Sequence, residues 1–135
     1  MTPSAAAQAA STLTVGEAAR RSGVSVDTLR YYEREGLLSA GRTASGHRRY
    51  APHDLAWIAV LTCLRETGMP IRRMREYAAL ARVDDEASVT ERLRMLQEHR
   101  TEVQCRLREL QRNLEHLDGK ISWYRSLLEE PGDDA

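Results

Sequence analysis

The chain has 135 residues, in which 20 Lys and Arg are matched by 20 Asp and Glu, the length of about one domain with an appendage. No apolar run reaches the roughly eighteen residues a membrane-spanning helix needs, so no membrane partner is expected. The two cysteines lie far apart in sequence, which excludes a disulfide framework and suits a reducing cytoplasm.

Residues 1–12 are Ala-rich with Thr, Pro, Ser and Gln. They lack the basic start and apolar stretch of a signal peptide and read as a disordered arm. Thr14 with Glu17 forms a capping box for a first short helix, apolar through Val15, Ala18 and Ala19. Ser22-Gly23-Val24 ends it, with glycine supplying a left-handed stop. Ser25 caps a second helix, with Asp27 in its first turn where the helix dipole favours an acid. Val26, Leu29 and Tyr32 are expected to pack back, leaving Asp27, Thr28, Arg30 and Tyr31 outward. One of the two tyrosines is expected in the core. Two helices across so tight a turn match a helix-turn-helix, and a basic hairpin follows through Arg42, His47, Arg48 and Arg49. Histidines 47, 53, 99 and 116 fall on four segments, and no phosphate-cradling glycine loop or nucleophile constellation is readable. No catalytic residue, cofactor or metal site is expected.

Arg30-Tyr31-Tyr32-Glu33, Gly36-Leu37-Leu38, Arg42 and Gly46-His47-Arg48-Arg49-Tyr50 together resemble the MerR family of bacterial transcription regulators. The resemblance runs on through Pro52 to Leu80 and more loosely along the chain after Ser88. It departs from the common pattern at Ser45, usually Asn, and His47, usually Tyr. It implies a mainly α fold: a winged helix-turn-helix head with a small β-hairpin wing over 13–82, then a long dimerisation helix in an antiparallel coiled coil. The DNA-binding set it implies is Thr14, Ser25, Asp27, Thr28, Arg30, Tyr31, Tyr32, Arg42, His47, Arg48 and Tyr50. Chemically, Arg42 and Arg48 can clamp phosphates across the groove. Arg30 can reach a guanine edge or a phosphate, and Asp27 can accept from a cytosine amino group. Core packing of the tyrosines and plain solvation of Arg30 are the alternatives. From Thr14 to Arg75 eleven arginines face six acids, while the tail carries Glu129, Glu130, Asp133 and Asp134; the zero net charge therefore hides a basic head.

Beyond the hairpin, Pro52 opens a third helix to about Thr67, with Leu55, Ile58 and Leu61 on one face. Gly68 stops it. Pro70 opens a fourth with Ile71, Met74, Ala78 and Ala81, while Arg72, Arg73 and Arg75 point elsewhere, toward phosphate or solvent. Ser88 with Glu91 reads as another capping box. Then Leu93, Leu96, Arg100, Val103, Leu107, Leu110, Leu114, Leu117, Ile121, Tyr124 and Leu128 alternate three and four apart, the seam of a coiled coil. Leu93, Leu96, Val103, Leu107, Leu110, Leu114 and Leu117 are the expected dimerisation residues. The dimerisation helix is assigned to 86–118, with a break near Gly119 and a short C-terminal segment and acidic tail over 119–135. An intramolecular hairpin is the alternative to a second chain.

The resemblance further implies a homodimer on a pseudo-palindromic promoter site in double-stranded DNA, acting with RNA polymerase. It implies control by bending and untwisting the spacer, in the nucleoid-associated cytoplasm of a bacterium. Metal-sensing relatives place cysteines late on the dimerisation helix, and 114–135 has none; His99 and His116 are too far apart to share a metal. Drug-sensing relatives append a ligand domain that this chain is too short to include. The run Cys63 to Ile71 is similar to the aldehyde- and thiol-stress-responsive branch, in which a cysteine on the third helix is modified. That makes Cys63 a candidate effector-sensing residue, against the alternative of a small packed hydrophobe. Cys105 lies on the outer side of the seam and reads as incidental. The competing function is a coiled-coil protein-interaction module without specific DNA binding.

Overall fold

The computed structural model describes residues 12–129. The expected arm over 1–12, Thr12 apart, and the acidic tail beyond Glu129 lie outside them. Five helices and one hairpin follow in order: α1 Val15–Ser22, α2 Val26–Arg34, β1 Gly41–Arg42, β2 Arg48–Arg49, α3 Pro52–Glu66, α4 Ile71–Ala81 and α5 Glu86–Glu129.

Local chemistry sets the boundaries. Thr14 Oγ1 accepts from the Glu17 amide at 3.2 Å and donates to the Glu17 carboxylate at 3.0 Å. Gly23 has φ +74° and donates its N–H to Ala19, closing α1. Ser25 Oγ accepts from the Thr28 amide at 3.0 Å to open α2. Asp54 accepts from the Ala51 amide at 2.8 Å, so α3 starts at Pro52 with its acid reaching back. The hairpin pairs Gly41 with Arg49 and Arg42 with Arg48, and Gly46 turns it at φ +86°. Leu13 adds an antiparallel bridge to Tyr50, through bonds of 2.7 and 2.8 Å, so the chain before α1 braces the wing.

The core draws on every piece of the head. Ala18, Leu29, Tyr32, Leu37, Tyr50, Ile58, Leu61, Leu64, Met74 and Ala78 are buried. On α3 the buried face is Ile58, Leu61 and Leu64, with Leu55 only half-buried. On α4, Tyr77 joins Met74 and Ala78, its ring stacked on Trp57 at 5.7 Å. The Trp57 Nε1–H donates to the Leu37 carbonyl at 2.7 Å, fixing the loop after α2 to α3.

Two expectations about the last helix are corrected. Ser88 does not cap it: Asp85 accepts from the Ser88 amide at 2.7 Å, and the helix begins at Glu86. Ser88 is instead buried inside the first turn, its hydroxyl donating to the Leu80 carbonyl. Nor does the helix break near Gly119, since α5 runs unbroken to Glu129. One glycine in a helix interior costs only about 1 kcal/mol relative to Ala, too little to stop a helix of 44 residues. The chain divides into two units, Met1–Met95 and Leu96–Ala135. The buried Met95 ends the first, so the head takes in the start of α5 beyond the sequence boundary at residue 82.

Candidate nucleic-acid interface

The outer face of α2 carries Asp27 and Arg30 one turn apart. The Asp27 side chain is 96% exposed, and its carboxylate lies 4.0 Å from the half-exposed Arg30 guanidinium. An exposed pair of that kind is worth roughly 0–1 kcal/mol, so Arg30 is readily exchanged to a phosphate or a base edge.

Two concave surfaces flank this helix. One, of about 270 Å³, is lined by Thr14, Val15, Arg30, Arg42, Gly46, His47, Arg48 and Arg49. It brings five predicted contacts together: Thr14 from the start of α1, Arg30 from α2, and Arg42, His47 and Arg48 from the wing. Four guanidiniums in one concavity focus positive potential there. The other, of about 440 Å³, gathers Ser25, Thr28 and Tyr32 with Gly23, Val24, Thr62, Arg65 and Glu66.

The wing arginines differ in freedom. Arg42 is exposed and donates to the Gly46 carbonyl at 3.1 Å. Arg48 is two-thirds covered and its Nε pairs with the Glu33 carboxylate at the end of α2, which ties the wing to that helix. Arg49 reaches Thr12, with Nε to Oγ1 and Nη2 to the carbonyl, both at 3.0 Å.

Tyr32 and Tyr50, both among the expected contacts, are buried. Tyr32 is 1% exposed and its hydroxyl meets Thr62 Oγ1 at 3.5 Å on the floor of the second concavity. Tyr50 is fully buried beneath the wing, its hydroxyl without a hydrogen-bond partner among the described residues. Burial, and next the Glu33 carboxylate, push its ionisation above the usual tyrosine range. Both are pillars that hold the interface up. Tyr31 is half-buried and carries the Arg65 guanidinium 5.8 Å above its ring. Arg65, on the last turn of α3, and Arg49 join the surface although neither stood among the expected contacts. Arg49 was visible within the hairpin motif, whereas only the fold brings Arg65 to the turn.

A model described as MerR HTH family regulatory protein matches residues 13–80, and one described as MerR, DNA binding matches residues 55–120. The chain belongs to the MerR family. An uncharacterised HTH-type transcriptional regulator of Haemophilus influenzae is 36% identical over 115 residues, covering 84% of each chain. The crystal structure of HiNmlR, a MerR family regulator lacking the sensor domain, bound to promoter DNA, matches with a TM-score of 0.78 at 36% identity. It covers 85% of this chain and 91% of that one. A MerR family regulator structure from Listeria monocytogenes matches with a TM-score of 0.78 at 38% identity, over 86% and 88% of the two chains. The protein is a DNA-binding transcription regulator of this family and not an enzyme. A protein-interaction module without specific DNA binding is not favoured. Among the described residues no helix is long and apolar enough to cross a membrane.

Proposed function

We propose that the protein acts as a homodimer whose two heads read the half-sites of a pseudo-palindromic promoter. The supporting observation is the apolar row along α5. Leu93, Leu107, Leu110, Leu114, Leu117, Ile121, Tyr124 and Leu128 are all exposed in the single chain, on a helix of about 66 Å at 1.5 Å per residue. Exposed leucines repeating at seam spacing over so many turns call for a second helix. An antiparallel pairing of two such helices gives the dimer a two-fold axis. A two-fold dimer then meets half-sites about one helical turn apart, roughly 34 Å.

On the heads, Arg30, Arg42, His47 and Arg48 face the duplex with Thr14, Ser25, Asp27 and Thr28. The bound dimer bends and untwists the promoter spacer so that RNA polymerase reads both promoter elements, which is control through deformation. Cys63 is the effector-sensing residue. It is exposed on α3, so its thiolate is open to an aldehyde carbonyl. The sulfur–carbon bond forms as the carbonyl electron pair moves to oxygen, which takes a proton. Transcription in a purified system tests both parts. Formaldehyde is expected to raise output from the wild type and to leave Cys63→Ser unmoved, and shortening the spacer is expected to remove the need for the protein. An unchanged response in Cys63→Ser ends the thiol reading, and continued dependence on a short spacer ends the deformation reading.

A further inference from the structure

The C-terminal end of the reading helix is held by arginines that lie 40 to 46 residues further along the chain. Helix α2 leaves its last carbonyls without helical partners. The amides of Glu35, Gly36 and Leu37 turn back onto the carbonyls of Tyr31, Glu33 and Tyr32. The carbonyls of Glu35 and Gly36, just past the helix, are met from α4 and its end. Arg75 Nε donates to the Glu35 carbonyl at 3.3 Å while its Nη2 pairs with the Glu35 carboxylate. Arg82 Nη2 donates to the Gly36 carbonyl. Two cations thus sit at the negative end of the α2 dipole. The helix pairs that pack broadly are α1 with α2, α1 with α3, and α3 with α4; α2 with α4 is not among them. The two arginines are therefore direct polar ties between the end of the reading helix and the segment that leads into α5, beside the route through Trp57, which bonds the Leu37 carbonyl and stacks on Tyr77.

We propose that Arg75 and Arg82 are positioning residues for DNA reading, fixing the tilt of α2 while touching no DNA themselves. The inference rests on α2 being the reading helix. Geometry explains why a clasp at the far end matters. The residues that meet bases lie at the N-terminal end of such a helix. Over nine residues, about 13 Å, a tilt of about 10° moves that end by about 2 Å, against a tolerance near 0.5 Å for a working contact. Leu29 and Tyr32 anchor the underside of α2, and the Glu33–Arg48 pair ties it to the wing. The Arg75 and Arg82 contacts set the remaining angle.

The test compares binding to two duplexes of equal length: the tightest sequence selected in vitro from a random pool, and a scrambled version. For Arg75→Ala with Arg82→Ala, the preference for the selected duplex is expected to fall about tenfold or more, the scale of a lost base contact. Affinity for the scrambled duplex and the melting temperature are expected to hold. Arg75→Lys keeps the charge, and with it any attraction to phosphate, but cannot make the two-pronged grip; it is expected to lose preference as the alanine does. In a Glu35→Ala background, Arg75→Ala is expected to cost much less than in the wild type, because the first change has already opened the clasp. The proposal is overturned by full preference in the double alanine variant, by full rescue in Arg75→Lys, or by additive losses in the Glu35 cycle. If the double alanine variant does not fold, the lysine variant and the cycle decide alone. A wild type that prefers neither duplex strikes the DNA reading itself, whereas a selective wild type with unaffected variants strikes only the clasp.

Discussion

Leu110→Ala isolates the seam from everything else in the molecule. Leu110 is 65% exposed in the single chain and belongs to the second unit. Truncation therefore leaves the folding of the head unchanged. In a two-fold dimer each substitution is made twice. A leucine side chain that passes from water into an apolar contact contributes about 1.5–3 kcal/mol, so the paired loss is about 3–6 kcal/mol. That corresponds to a dimer dissociation constant about 10² to 10⁴ times weaker. Sedimentation equilibrium across a dilution series reads the change, and circular dichroism reads the helix content lost with it. Arg112→Ala, at an outer position of the same helix, is the control and is expected to leave the dimer intact. An unchanged dissociation constant for Leu110→Ala would mean that α5 pairs through another face, or that the chain works alone.

Tyr50→Phe removes a buried hydroxyl that has no partner among the described residues; an unsatisfied group of that kind costs about 1–3 kcal/mol. The variant is expected to melt higher with DNA binding intact, and a lower melting temperature would show that the hydroxyl is bonded after all. The ionisation of Tyr50 is raised in the fold, so the neutral form is favoured there. Its contribution is whole below the ordinary tyrosine value and is lost as pH climbs through the folded one. Alkaline melts above pH of about 10 are therefore expected to destabilise the wild type more than Tyr50→Phe, and parallel curves would contradict this. Arg42→Ala is expected to lower the salt dependence of DNA binding by about 0.9 in log–log slope for each phosphate contact removed, weakening all sequences alike; an unchanged slope places Arg42 off the backbone. Gly119→Ala meets nothing within 4 Å of the added carbon and is expected to stabilise α5 by about 1 kcal/mol, read as a higher melting temperature of the helical signal.

Much of the head was legible because its helix ends are written in capping chemistry. Thr14, Gly23, Ser25 and Pro52 each stop or start a helix where the sequence places it, since each acts through its own backbone neighbours. The bounds of α5 were harder to read. Asp85 and Ser88 are both plausible caps, and only packing under Leu80 decides that Ser88 is buried. At Gly119 the roughly 1 kcal/mol cost of a single glycine does not end a helix that runs from Glu86 to Glu129. The division of labour between Tyr31 and Tyr32 turns on a 100° step around α2, which places the second in the core. Contacts across long sequence intervals left no local signal. Glu33 with Arg48, Glu35 with Arg75 and Arg65 over Tyr31 join residues 15, 40 and 34 positions apart. Of the expected contacts, Thr14, Arg30, Arg42, His47 and Arg48 share one concavity, while Tyr32 and Tyr50 are buried beneath the surface.

The stoichiometry and salt dependence of the complex with a selected duplex test the central claim most directly. Two chains per duplex are expected, with a log–log salt slope of about −5 if Arg30, Arg42 and Arg48 of each chain meet phosphate. One chain per duplex, or an affinity indifferent to salt, would contradict a paired reader holding its arginines against DNA.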